Sequence, residues 1–383
     1  MTVTSPQGFR AAGVTAGLKS SGGSDMAVIV NDGPRDTAAA VFTSNRCKAN
    51  PVLWSEQAIR TGAAKALVVN SGGANCYTGA DGFEITHATA EKVATELGIG
   101  AIDVQVCSTG LIGILNDRDR VLAGAAEATN SVAADGGEQA AQAIMTTDSH
   151  PKNAVASGTG YTVGGIAKGA GMLAPQLATM LVFLTTDADL SASDLDSALR
   201  AATAATFDRL DSDGCQSTND TVLLMASGAS GVRPDLAEFT EQVRTVCHHL
   251  AMQLLADAEG ADHEITIDVR NAATEADALE VGRSVARSNL FKCAVFGKDP
   301  NWGRVLASIG TTDAAFDPAD LDVALNGVWV CKASGPAEPP DKVDLTERHV
   351  TVEIDLKAGA ETATIWTNDL THAYVHENSA YSS

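Results

Sequence analysis

The sequence predicts an α/β or α+β chain whose strands are buried between helical layers. Three observations predict it. Apolar, β-branched runs of strand length recur along the 383 residues, among them ALVV (66–69) and TMLVFLT (179–185). Stretches with apolar residues at helical spacing lie between them, the longest over residues 234–258. Aromatic residues make up only 4% while alanine and glycine abound, which suits alternating elements packed closely through small side chains. At 45% hydrophobic, the chain supports one large or two medium domains.

In chain order, residues 26–30 and 38–42 read as strands separated by the turn NDGP, and 66–69 as a further buried strand. The loop NSGGANCYTG (70–79) follows it, and 82–97 has helical spacing closed by Gly98. Strand, glycine-rich loop and helix invite a phosphate-loop reading, but neither G-x-G-x-x-G nor GK[ST] occurs. Residues 104–106 lead into CSTGLIG (107–113). Helices are expected over 118–128 and 138–145, and a strand over 160–166. Past TTDA (185–188), 191–210 reads as a helix with Ser191 and Asp194 as a capping pair. A polar loop and a strand at 221–226 come next. On the long helix, Leu236, Phe239, Val243, Val246, Leu250 and Leu254 share a face. Residues 265–269 alternate like a strand, 274–287 form a helix, 291–296 read as a strand and 301–309 as a helix capped by Asn301 or Asp299 over Trp302. The remainder is β: a hairpin about Asn326-Gly327, then 350–356 and 362–367 as a second pair.

Net charge is −22, from 26 basic and 48 acidic residues, which argues against nucleic acid and anionic membranes. The seven cysteines are widely spaced, and no C-x-x-C occurs. Cys247-His248-His249 falls in a helical pattern, and the histidines show no H-E-x-x-H spacing, so no metal is expected. The beginning MTVTSPQGFRAAG shows no apolar leader, and no run reaches membrane-spanning length. Reduced thiols in the cytoplasm are the expectation.

The stretch that organises the chain is KGAGMLAPQLATMLVFLTTD (168–187): a glycine turn, a short apolar loop and a core strand. At Ala178–Thr179 a small residue precedes a hydroxyl residue. Thr179 reads either as the first residue of a buried strand or, if that bond is cut, as an N-terminal threonine. Its hydroxyl is then the nucleophile and its own α-amino group the base. An α-amino group, with a reference pKa of about 7.7–8.0, needs little tuning for that role. Thr109-Gly110 sits in a turn whose N–H and hydroxyl groups suit a developing oxyanion. Lys168 offers a positive charge for a carboxylate. Glu259 follows the long helix, where the dipole disfavours a negative charge, so it suits an ammonium ligand. Each of these also reads as an ordinary turn or solvated residue. QSTNDT (216–221) is dense in hydrogen-bonding groups and reads as a turn network or a substrate loop.

Taken together and in order, VFTSN (41–45), CSTGLIG (107–113), AIMTTD (143–148), GGIAKGAGMLAP with ATML (164–181), STNDT (217–221), DAEG (257–260), DPNWGR (299–304) and ENSAYSS (377–383) resemble the ornithine acetyltransferase family, in its actinobacterial form. The resemblance covers essentially the whole chain. It implies the layered helix–sheet–sheet–helix fold of that family and of the N-terminal-nucleophile aminopeptidases. It also implies self-cleavage between Ala178 and Thr179 into an α chain, 1–178, and a β chain, 179–383, that form one intertwined unit. Acetyl then passes from N-acetylornithine to Thr179 and on to glutamate. Thr109 and Gly110 match the oxyanion pair; Thr146, Lys168, Glu259, Asn378 and Ser383 match substrate-binding positions. No cofactor is implied beyond acetyl-CoA as a second donor in bifunctional members, and the assembly implied is an α2β2 heterotetramer. The chain departs from the family wording at Gly73, where asparagine is usual, at Tyr77, at Ile114, where an acid is usual, and at Cys215. Competing readings are an aminopeptidase of this fold, which would use a serine, and an uncut, non-enzymatic binding protein for basic amino acids.

Overall fold

The computed structural model describes residues 2–171 and 180–380. Thr179, Ala178 and Ser383 therefore lie outside the described residues. The chain forms two compact units. The first comprises residues 2–170, 180–208 and 216–254 and the second residues 171, 209–215 and 255–380.

The first unit is built on two sheets. One runs β1 (Phe9–Val14), β2 (Met26–Asn31), β4 (Ala66–Asn70), β5 (Val104–Ser108). The other runs β3 (Thr37–Phe42), β9 (Thr221–Ala226), β8 (Leu181–Thr186), β7 (Tyr161–Lys168), β6 (Lys152–Gly158). Residue parity explains why these strands are apolar throughout. Ala27, Ile29, Leu67 and Val69 share a core with Leu181, Phe183, Leu223 and Met225 of the facing sheet. Met26, Val28, Ala66 and Val68 point the other way, onto α2 (Gly79–Leu97) and α3 (Arg118–Asn130). With both faces covered, alternation of polar and apolar residues disappears. Beyond the second sheet lie α5 (Ala192–Ala204) and α6 (Leu236–Ala256). Val246 and Leu250 of α6 pack on Gly165 of β7, and the Phe239 ring lies 5.9 Å from that of Tyr161. The result is helix, sheet, sheet, helix, the layering that the resemblance implies. Two shorter helices complete the unit, α1 (Asn50–Ala58) and α4 (Gly137–Ala143).

The second unit has one six-stranded sheet, β13 (Gly335–Pro336), β12 (Val328–Lys332), β11 (Asp322–Leu325), β14 (His349–Asp355), β10 (Glu264–Ala272), β15 (Glu361–Asn368). One face is covered by α7 (Glu275–Ala286), α8 (Asn289–Phe296) and α9 (Trp302–Ile309). Here β10 and β14 do alternate, because only one face is buried. Helix α10 (His372–Ala380) follows. Among the described residues no helix is long and apolar enough to cross a membrane.

The structure corrects four local expectations. Residues 291–296 are helical: Ser288 caps α8 by accepting from Phe291 N at 3.3 Å, and Phe291, Ala294 and Val295 are buried at helical spacing. A six-residue apolar run does not by itself distinguish strand from helix. Strands β14 and β15 are not partners; they flank β10, β14 parallel and β15 antiparallel. The helix expected over 191–210 stops at Ala204, because residues 209–215 join the second unit, where Leu210 bridges Trp366. The Ser191–Asp194 cap is present at 3.2 Å, whereas Asn301 gives α9 no side-chain cap; Asn301 Nδ2 donates to Asp299 instead. The Asn326-Gly327 hairpin forms with both residues at positive φ.

Candidate active site

Sheet register brings the site together. In the second sheet β8 runs parallel to β9 and antiparallel to β7, so Lys168, the last residue of β7, pairs with Leu181, and Leu181 pairs with Thr221. β8 thus begins, at Leu181, in the same row as Lys168. From the facing sheet, β5 ends at Ser108 and delivers Thr109.

Lys168 and Thr109, 59 residues apart in sequence, meet at 3.2 Å, Nζ donating to Oγ1. Both are buried, at 1% and 2% exposure. A hydroxyl has one proton to give and two lone pairs. By accepting from an ammonium, Thr109 keeps its own O–H as a donor, and that O–H has no acceptor among the described residues. The Gly110 N–H likewise has no partner among them. Gly110 has φ +127, and a Cβ there would lie 2.9 Å from the backbone of Gly73, so glycine is required. Among the described residues, the Thr109 O–H and the Gly110 N–H are thus two donors on consecutive residues with no acceptor.

A buried acid, not foreseen from the sequence, holds the lysine side in place. Asp148 Oδ1 accepts from Lys152 Nζ at 2.7 Å and from Gly169 N at 2.6 Å, and Oδ2 accepts from Thr146 N at 2.9 Å. Burial alone would raise this carboxyl, but the Lys168 and Lys152 charges and the Gly169 N–H outweigh it and hold it at about 2. Lys19, donating to the carbonyls of Ser24 and Met145, is lowered by burial and by Lys168. Asp148→Ala is expected to cost about 3–5 kcal/mol, since it leaves Lys152, fully buried, without its carboxylate. Urea unfolding at neutral pH reads this; a loss below about 1 kcal/mol would contradict it. Because the folded pKa lies below the ordinary 3.8, the stability linked to Asp148 is fully present above pH 4 and is lost as pH falls through 2.

The polar loop 216–220 proves to be a network. Asn219 Nδ2 donates to Ala74 O at 2.6 Å and to Ser108 O at 2.8 Å. Asn70 Nδ2 donates to Ser108 Oγ at 2.6 Å, and Thr109 N to Asn70 O at 2.9 Å. These bonds tie the 70–76 loop, the Thr109 turn and the start of β9 into one assembly. A side chain at Gly73 would run into Asn116, which donates to Gly73 O and Asn70 Oδ1. Asn116 thus fills the place where the family resemblance expects a residue 73 side chain. Tyr77, Ile114 and Cys215 are exposed.

In the second unit, Glu259 lies half-buried three residues past α6, and a Cβ on Gly171 would lie 2.6–2.9 Å from its carboxyl. That carboxyl therefore packs on the last described residue before the 172–179 segment. Asn378 is exposed on α10 and donates to Tyr374 O at 3.0 Å. Among the described residues no group of three or more His, Cys, Asp or Glu is arranged to hold a metal ion.

Comparison with known proteins matches residues 10–383 to a model described as the ArgJ family. The arginine biosynthesis bifunctional protein ArgJ of Streptomyces coelicolor is 62% identical over 383 residues, with both chains covered in full. A solved chain from Bacillus halodurans, an arginine biosynthesis bifunctional protein, is 34% identical with a TM-score of 0.50; the match covers 52% of this chain and 98% of that one. Ornithine acetyltransferase of Mycobacterium tuberculosis, solved with ornithine, is 53% identical over 45% of this chain and 94% of its own, with a TM-score of 0.45.

Proposed function

The chain belongs to the ArgJ family, acyltransferases of arginine biosynthesis, and we propose that it moves acetyl from N2-acetyl-L-ornithine to L-glutamate through an ester on the Thr179 hydroxyl. The observation that carries this is the buried Lys168–Thr109 pair beside the start of β8, with a Thr109 O–H and a Gly110 N–H that have no acceptor among the described residues. In this reading the chain first cuts itself. The Thr179 hydroxyl attacks the Ala178 carbonyl, an N-to-O shift gives an ester, and water releases the α chain, 1–178, from the β chain, 179–383. The match to the B. halodurans chain supports it: 52% of 383 residues, about 200, accounts for 98% of that solved chain, close to the length of the proposed β chain.

After cleavage the Thr179 α-amino group takes the hydroxyl proton as Oγ attacks the acetyl carbonyl of acetylornithine. Thr109 O–H and Gly110 N–H receive the oxyanion, the amine returns its proton to the departing ornithine nitrogen, and acetyl remains on Thr179. Glutamate reverses the steps and leaves as N-acetylglutamate. Lys168 offers charge to a substrate carboxylate and Glu259 to an ammonium, with Thr146, Asn378 and Ser383 as further substrate contacts. The chemistry needs no cofactor. The bifunctional name of the relatives supports acetyl-CoA as a second donor, and an α2β2 assembly in the cytoplasm completes the proposal.

Initial rates with acetylornithine and glutamate varied together test it. Parallel double-reciprocal lines and an acetylated β chain trapped without glutamate are expected; intersecting lines with no acetylated chain would contradict it.

A further inference from the structure

The loop 257–263, which carries Glu259, runs from the end of α6 to the start of β10. Strand β15 lies antiparallel to β10 with Asn368 opposite Glu264, so the chain leaves β15 where that loop enters the sheet. Residues 368–371, NDLT, then grip the loop by its backbone. Asn368 Nδ2 donates to Leu255 O at 3.2 Å and to His263 O at 3.1 Å, one bond at each end of the loop. Its Oδ1 accepts from Ser212 Oγ at 2.6 Å, which fixes the amide. Asp369 Oδ1 accepts from Asp262 N and His263 N, both at 3.0 Å, and its Oδ2 lies 2.7 Å from His263 Nδ1. Thr371 Oγ1 donates to Gly260 O and accepts from Tyr374 N at 2.9 Å, so one hydroxyl binds the loop and caps α10. Asn368, Asp369 and Thr371 are all buried.

Gly260 completes the contact. It has φ +62, and a Cβ there would lie 2.2 Å from Tyr374 N, so loop and helix meet backbone to backbone one residue from Glu259. The Tyr374 phenol, donating to Asp213 Oδ1 at 2.7 Å, is raised by burial, by Asp213 and by the Glu259 charge, which sets that charge beside α10. A carboxylate just past a helix C-terminus is not drawn there by the dipole. Its place has to be held by the backbone that carries it.

We propose that Asn368, Asp369 and Thr371 are positioning residues for Glu259. They fix its loop and thereby set the preference for an acetyl donor that ends in an ammonium. The inference rests on the reading of Glu259 as the contact for that ammonium. In N2-acetylornithine the α-nitrogen is acetylated, so the side-chain ammonium is the group left for a carboxylate to recognise. N-acetyl-L-norvaline has the same carbon chain without it.

The test compares kcat/KM for these two donors, with glutamate as acceptor. The native protein is expected to prefer acetylornithine by about 10- to 10²-fold, the scale of one hydrogen bond to a charged group. Thr371→Val keeps the shape of threonine but loses both bonds. It is expected to narrow the preference about tenfold, the kind of loss that a small misplacement brings, and Thr371→Ser, which keeps the hydroxyl, to restore it. Loss of a helix cap alone would lower rates equally with both donors. A native preference in Thr371→Val, whether its rates fall equally or not at all, or a preference still lost in Thr371→Ser, overturns the proposal. Gly260→Ala drives a methyl against Tyr374 N and reads the same contact from the other side. It is expected to narrow the same ratio and decides alone if Thr371→Val does not fold. Glu259→Gln separates the inference from its premise. If Glu259→Gln loses the preference while Thr371→Val keeps it, only the positioning role falls; if Glu259→Gln keeps it, the ammonium reading falls too.

Discussion

Thr179→Ala is expected to stay a single 383-residue polypeptide and to transfer acetyl at least about 10⁶-fold more slowly, the scale on which loss of a covalent nucleophile is felt. Both effects have one origin. The hydroxyl that would attack the Ala178 carbonyl in the precursor is the hydroxyl that would carry acetyl in the mature enzyme. Without the cut there is also no α-amino group at residue 179 to act as base. Alanine differs from threonine by a hydroxyl and a methyl, and Leu181 and Val182 of strand β8 are buried and paired with β7 and β9. The fold should therefore survive. Thr179→Ser, which keeps a hydroxyl, is expected to cut slowly and retain some transfer. Mass under denaturing conditions and an acetylornithine–glutamate assay read both variants. Normal transfer by Thr179→Ala would remove the covalent mechanism altogether.

Thr109→Ala is expected to lower kcat by about 2.7–4 kcal/mol, roughly 10²- to 10³-fold, if its hydroxyl is a full oxyanion donor. Its hydroxyl is bonded on one side only. Lys168 occupies a lone pair at 3.2 Å and leaves the proton to point elsewhere. The donor is fixed in advance, because Thr109 is buried and its N–H is bonded to Asn70 O at 2.9 Å. Such a donor costs no reorganisation when charge develops. KM should change little, since a ground-state carbonyl gains less from it than an oxyanion does. Self-cleavage should slow in parallel, as it passes through the same kind of tetrahedral carbon. Steady-state kinetics with a processing time course measures this. An unchanged kcat would take Thr109 out of the site, and a raised KM at constant kcat would make it a binding residue instead.

Much of this architecture was legible in the sequence because burial on both faces writes itself as unbroken apolar runs. Leu181–Thr186 and Thr221–Ala226 could be read that way, and the long α6 stripe is buried from Phe239 to Leu254, although Leu236 at its start is exposed. What escaped was decided by partners distant in sequence. Strand β6, with Lys152 at its first position, owes its conformation to pairing with β7, and its buried lysine is met by Asp148. Strands β14 and β15, neighbours in sequence, are separated by β10, which alternation along either strand does not reveal. The site shows the same division. Thr109, Gly110 and Lys168 could be named from motif wording, but their meeting is a product of sheet packing. Asp148 ends an expected helix and Asp220 lies in a stretch that reads as a turn network or a substrate loop, and their burial shows only in the structure. Asn378 was named with the substrate contacts and is found exposed on α10, bonded to its own helix.

The most direct test of the account is the intact mass of the purified protein under denaturing conditions, followed by N-terminal sequencing of the fragments. Two polypeptides are expected, the second beginning at Thr179. A single uncut chain that nevertheless transfers acetyl from acetylornithine to glutamate would contradict it.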